Sequence, residues 1–137
     1  MKSRILAITD PARSDLQEVR RYTFRQYGRS AADAYDALLK QALRDIRYDP
    51  FRPGSKDRSE IGANVRTYHT AFSRERSASG LKSPRHFILY FLSRDNELVV
   101  SRVLHDSRDL ARHIPAGHLK RARTMTSKRQ NERKPRK

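Results

Sequence analysis

Cysteine and tryptophan are absent from this 137-residue chain, and glycine and proline number only five and six. Without thiols there can be no disulfide staple, thiolate nucleophile or zinc-thiolate site, and a reducing compartment is permitted. No apolar run approaches the roughly 18 residues that a membrane span needs. The N-terminal patch Ile5-Leu6-Ala7-Ile8 is broken at Asp10 and Pro11, too early for a secretory signal, so the expected location is the cytoplasm, with no membrane partner. A phosphate loop, GxGxxG, GxSxG and HExxH are all missing, which removes support for most enzyme classes. No repeat of 20 to 50 residues is visible. The length suits one core.

Basic residues are plentiful. Lys and Arg number 31 against 15 Asp and Glu, a net charge of +16. Residues 1–115 hold 22 basic and 14 acidic side chains, whereas residues 116–137 hold 9 and 1, so the last 22 residues carry half of the excess. The run from His118 to Lys137 has almost no apolar content and cannot offset the entropy of folding. The expected organisation is a folded domain over 1–115 and a disordered basic tail over 116–137. Such a tail either merely solubilises the chain or draws polyanions such as nucleic acid, or acidic protein segments, by attraction that salt weakens.

Within the domain the period of the apolar residues changes once. Residues 4–8 lean towards a strand, and Thr9-Asp10-Pro11 supplies a cap and an early proline for a helix. Ala12, Leu16, Val19, Thr23 and Tyr27 then recur at helical spacing up to Gly28. Ser30 reads as a second N-cap with Asp33 in a capping box, and Tyr35, Leu38, Leu39, Ala42 and Ile46 make the next stripe, closed by Pro50. Two helices joined so closely must run antiparallel. After the loop 49–62, strands follow at 64–73, 85–93 and 97–105, the last two joined by a tight turn at Arg94-Asp95-Asn96 and the first two by a long polar loop over 74–84. Asp106 can cap a last short turn with Asp109. The fold expected is α+β: an N-terminal strand and an antiparallel helical hairpin packed on a three- to four-stranded antiparallel sheet.

Few residues stand out as chemistry. His105, Asp109 and His113 are spaced like metal ligands on a helix, but His105 closes a valine-leucine strand, so neither a metal nor a cofactor is expected. Arg, Lys, His and Tyr can drive cleavage of RNA at a 2′-hydroxyl by positioning and neutralising the phosphate. Arg66 lies within the strand expected at 64–73, where it could pair with a helix carboxylate. Arg102 interrupts an apolar strand and must face solvent or find a partner, since an unpaired buried guanidinium costs several kcal/mol. Asp109 is the obvious candidate, for it or for Arg108. Tyr90, Phe91, Phe87 and Ile88 read as core.

The segments ARSDLQEVRRYTFRQYG, SAADAYDALLKQALRDIRYDPFRPG, IGANVRTY, HFILYF and RVLHDSRDL, in that order and spacing, resemble the ParE branch of the ParE/RelE superfamily of bacterial toxins over roughly residues 4–115. The ending RVLH-x-x-RD is characteristic of that branch; the 74–84 loop and the tail are not part of the pattern. The resemblance implies the toxin of a type II toxin-antitoxin pair, neutralised by a cognate antitoxin, with DNA gyrase as the usual target. RelE-like members instead cleave messenger RNA on the ribosome. They tend to carry an arginine three residues before the tyrosine that stands here as Tyr90, where this chain has Phe87, and they concentrate Lys, Arg or Tyr near the C-terminal strand, where this chain has Arg102 and His105. On the gyrase reading the target-binding residues are Arg66, Arg102, His105, Arg108 and Asp109, with none catalytic. On the nuclease reading Arg66, Arg85, His86 and His105 would act. The basic rows of Arg20, Arg21, Arg25, Arg44 and Arg47, which would otherwise repel each other, would receive the antitoxin.

Overall fold

The computed structural model describes residues 4–76 and 84–107. The order of elements is β1 (Leu6–Ile8), α1 (Asp10–Tyr27), α2 (Arg29–Tyr48), β2 (Ser55–Asp57), β3 (Val65–His69), a 3-10 segment (Thr70–Arg76), β4 (His86–Leu92) and β5 (Leu98–His105). The 74–84 loop is thus partly a continuation of the 3-10 segment, and residues 77–83 lie outside the described residues, as do 108–137 with the basic tail and the Asp109 turn.

Thr9 caps α1 as its hydroxyl accepts from Ala12 N at 3.2 Å, with Pro11 in the first turn. The helices are separated by one residue. Gly28, at φ 92°, donates its N–H to Phe24 O and accepts from Ala32 N, closing α1 and opening α2 at once. That positive φ is where glycine is at no disadvantage. It also corrects the assignment of Ser30 as an N-cap: no side chain caps α2, and Asp33 instead binds Arg20 at 2.9 Å. Of the stripe on α1, Ala12 and Val19 are buried, but Tyr27 is 70% exposed. The stripe on α2 is as expected, with Leu38, Leu39, Ala42 and Ile46 all buried.

The sheet has five strands in the order β1-β5-β4-β3-β2. This corrects the expectation of three or four antiparallel strands in two ways. β1 pairs with β5 in parallel, Leu6 opposite Leu98 and Ile8 opposite Val100, because the chain crosses through both helices before returning. β2 is an additional edge strand from within the 49–62 loop, antiparallel to β3; Ser55, Lys56 and Asp57 give no apolar signal. Just before it, Gly54 stands at φ 100°, and a Cβ there would fall 2.7 Å from the Phe72 ring. The β4–β5 turn has Asn96 at φ 64° as its left-handed residue, closed by Ser93 N to Glu97 O at 2.9 Å.

One irregularity decides which residues of β5 meet the helices. The register shifts so that Leu89 pairs with Arg102 while Tyr90 pairs with Val100, leaving Ser101 as an extra residue. Strict alternation would send Leu98, Val100, Arg102 and Leu104 to one face. The bulge puts Val103 with Leu98 and Val100 in the cluster that includes Ala12, Val19, Leu39 and Ile46, and Leu104 in a second cluster with Ile61, Val65, Leu89, Phe91 and Val99. Phe91, Ile88 and Tyr90 are buried as expected, and Phe87 is partly buried against the second cluster.

Ile46 is fully buried between α2 and the sheet. Ile46→Ala is expected to cost about 3 kcal/mol of stability through lost transfer and cavity terms. Urea titration should show this as a lower midpoint at unchanged slope.

Candidate functional site

The residues singled out from the sequence do not converge; they fall into four places. The first is the edge made by β2 and β3. Arg66 Nε donates to Ser55 Oγ at 2.7 Å and Nη2 donates to Ser55 O at 3.2 Å. Its guanidinium lies 4.8 Å from the ring centroid of exposed Phe51, within cation–π range. Tyr90 donates its hydroxyl to Pro50 O and meets Ser55 Oγ at 2.6 Å. With Tyr90's proton so placed, the relay runs Arg66 N–H to Ser55 O–H to Tyr90 O–H to Pro50 carbonyl, and every hydroxyl is both donor and acceptor. Burial pushes the Tyr90 hydroxyl pKa up, against the Ser55 hydrogen bond. Arg66 is therefore anchored by a β2 serine and not by a helix carboxylate, which corrects that alternative.

The second place is the outer end of β5. Asp15 on α1 accepts Arg102 Nε at 2.7 Å, Arg102 Nη2 at 2.9 Å and the backbone N–H of Val103 at 2.9 Å. Both side chains are mostly buried. The expected pairing of Asp109 with Arg102 or Arg108 lies outside the described residues; among those described, Asp15 holds Arg102.

The third place joins the starts and ends of β3, β4 and β5. Asp106 accepts Arg85 Nε and Nη2 on Oδ1 at 3.0 and 2.9 Å, and His69 Nε2 on Oδ2 at 3.0 Å. Those bonds, Arg85 first, hold the Asp106 carboxyl down to about 2. Asp106 thus clasps β3 and β4; the short turn it is expected to cap with Asp109 lies outside the described residues. His86 Nδ1 meets the Tyr35 hydroxyl, which also accepts Arg85 N–H at 3.0 Å. Burial is the main cause that pushes His86 down to about 4, with neighbouring His105 adding to it. The His86 and His105 rings stand edge to face at 5.3 Å. Burial also raises the Tyr35 hydroxyl.

The fourth place is the helical hairpin, where the five arginines separate. Arg20 is held by Asp33 at 2.9 Å and Asp36 at 3.2 Å, and Arg21 by Glu18 at 2.6 Å, so the row is relieved by carboxylates and does not depend on a partner to quench repulsion. Arg20, Arg21 and Arg25 line a shallow depression with Gln17 and half-exposed Phe24. Arg44 and Arg47 lie at the other end of the hairpin, Arg47 donating to Arg4 O at 2.6 Å and Arg44 to Gln41 Oε1 at 2.9 Å.

Sequence reasoning missed Asp15, Tyr35, Ser55 and Asp106 as partners. For Asp15 a signal existed: it falls three residues after Ala12 and four before Val19, an acid on a buried helical stripe. Asp45 likewise falls three residues after buried Ala42; it is 3% exposed and binds Ser73 Oγ at 2.6 Å and Gln41 Nε2 at 2.9 Å. Among the described residues no group of three or more His, Cys, Asp or Glu side chains could hold a metal ion, and no helix is long and apolar enough to cross a membrane.

A helical hairpin on a mixed five-stranded sheet is an α+β domain. The ParE toxin family, of type II toxin-antitoxin systems, matches residues 6–110, and the chain belongs to it. Comparison with curated proteins yields no match. Among solved structures the chain is similar to one in the toxin-antitoxin complex RelBE2 from Mycobacterium tuberculosis, at 18% identity and a TM-score of 0.48, covering 76% of this chain and 99% of that one.

Tyr90→Phe is expected to cost about 1–2 kcal/mol by leaving Pro50 O and Ser55 Oγ short of a partner. Hydrogen exchange should show the amide of Lys56 in β2 losing protection, while Val100 in β5 keeps most of its own.

Proposed function

We propose that this toxin acts by inhibiting DNA gyrase without cutting nucleic acid, and that a cognate antitoxin neutralises it in the cytoplasm. One observation carries the choice of target. Cleavage at a 2′-hydroxyl needs an acid, a base and a phosphate-binding cation around one phosphorus atom. Arg85, His86 and His105 share one end of the sheet, but Arg66 pairs across from Tyr90, four residues further along β4, which is about 13 Å at strand rise. The individual groups are also engaged: Arg85 on Asp106, Arg66 on Ser55, and half-buried His86, its pKa pushed down by burial, on Tyr35. Phe87, where RelE-like nucleases tend to place arginine, packs against an apolar cluster. On this reading Arg66, His105 and the segment through Arg108 and Asp109 contact the target, while Arg102 belongs to the scaffold. Ribosome-dependent cleavage of messenger RNA is the second reading, and the neighbouring Arg85, His86 and His105 are what favour it.

The antitoxin surface we assign is the depression of Gln17, Arg20, Arg21, Phe24 and Arg25. Its chemistry fits an acidic amphipathic segment with an apolar residue over Phe24. Arg44 and Arg47 form a separate basic patch. The tail from residue 116 would add salt-sensitive attraction to polyanions near the target, without reading a base sequence.

Inducing the full chain in cells without its antitoxin should relax plasmid supercoiling and raise the DNA-damage response while transcripts stay intact; coexpression of the antitoxin should reverse both. Cut transcripts with undisturbed supercoiling would establish the nuclease reading instead.

A further inference from the structure

Arg20, Arg58, Arg85 and Arg102 each meet a carboxylate. Arg66 is held differently: two uncharged oxygens of Ser55 take its Nε and Nη2 protons, and among the described residues it forms no ion pair. Its charge is therefore placed without being neutralised. The guanidinium carbon stands 4.8 Å from the centroid of the Phe51 ring, and that contact does not bury the ring, since Phe51 is 61% exposed. A lone exposed phenylalanine is ordinary, but this one is fixed in place. Phe51 N–H donates to Asp49 Oδ1 at 3.1 Å, and the carbonyl before it, Pro50 O, accepts from Tyr90. Arg52 N–H to Asp49 O at 3.2 Å and Ser55 N–H to Arg52 O at 2.9 Å fold residues 49–55 into consecutive turns. A second ring borders the same loop. Phe72 of the 3-10 segment is 54% exposed and lies against Gly54, the residue before Ser55.

We propose that Phe51, Arg66 and Phe72 form a stacking platform for unpaired bases of single-stranded DNA.

Exposed rings beside a planar cation suit a ligand with flat π faces, and every nucleobase has them. A duplex hides those faces between neighbouring base pairs, so the platform takes a base that is unpaired or turned out of the stack. The local charge points to the base and not to the phosphate. Asp57 lies opposite Arg66 in the β2–β3 pairing, and Asp49 belongs to the loop itself. A phosphate placed here would meet those carboxylates as well as Arg66, which leaves recognition to the rings and the guanidinium plane. The basic tail acts in the opposite sense, because its attraction to polyanions is blind to the bases. The proposal rests on reading the β2–β3 edge as the surface that meets gyrase, and it assigns to that edge the DNA which the target holds.

Fluorescence anisotropy with the full chain tests it, using a labelled oligothymidylate and an abasic deoxyribose-phosphate strand of the same length over a range of salt. The oligothymidylate should bind about tenfold more tightly than the abasic strand. Phe51→Ala should weaken oligothymidylate binding about tenfold while leaving the slope of log K against log salt unchanged. Arg66→Lys keeps the charge but loses the planar fork, and should also weaken it. Tyr27→Ala removes an aromatic side chain that is 70% exposed on α1 and should change neither affinity nor slope. Equal affinity for the two strands, or binding confined to RNA of the same length, would overturn the proposal. So would loss of toxicity in Phe51→Ala with oligothymidylate binding intact, which would make this edge a protein-binding surface. The assay contains no gyrase: failure here alongside relaxed plasmids in cells strikes only the platform, whereas base-dependent binding alongside undisturbed supercoiling strikes the gyrase reading.

Discussion

The Asp15 carboxylate takes three donors from the end of β5: two from the Arg102 guanidinium and one from the Val103 backbone. The bulge at Ser101 makes this possible by withdrawing Arg102 from the helix-facing row and placing Val103 there. Thr9 completes the contact, capping α1 while donating its hydroxyl to Ser101 O at 2.9 Å. β1 is too short to pair with all of β5, and the first turns of α1 take over the edge beyond it. A mostly buried ion pair gains stability only when its remaining donors and acceptors are also met; here the third bond to Val103 N–H supplies that, and the helical hairpin is located on the sheet by it.

The same use of carboxylates recurs through the domain. Asp106 holds Arg85, Asp33 and Asp36 hold Arg20, and Asp45 stands 3.6 Å from Arg52. A chain of high positive charge thus binds many of its guanidinium groups internally, so the arginines most conspicuous in the sequence are in large part scaffold. Among the described residues, cationic side chains stand beside an exposed aromatic ring around Phe24 on α1 and around Phe51 beside Arg66. These are the surfaces that our functional reading assigns to an antitoxin and to the target.

The helices were legible because their stripes are long and their punctuation is strong: Thr9 and Pro11 at one end, Gly28 at the junction, Pro50 beyond. β4 and β5 were legible as apolar runs around Asp95 and Asn96. β2 was not, since Ser55, Lys56 and Asp57 belong to the sheet through backbone pairing and through the hydroxyl relay to Tyr90 alone. The parallel pairing of β1 was hidden because three residues cannot declare a partner more than ninety positions away. The site residues were legible by type and not by partner. Arg66 and Arg102 were both seen to need a counterpart, but which acid or hydroxyl meets them depends on a bulge and a crossing that no spacing rule encodes. The family itself was readable from the order of its segments, which did not require those contacts.

The central claim is that Arg102 of RVLH-x-x-RD holds the scaffold through Asp15. A double-mutant cycle on the full chain, with Asp15→Ala, Arg102→Ala and the pair, measures this most directly by denaturant unfolding. The account predicts that each single change costs about 2–3 kcal/mol and that the double variant costs much less than their sum, a coupling above about 1.5 kcal/mol. Additive losses, with coupling below about 0.5 kcal/mol, would contradict it.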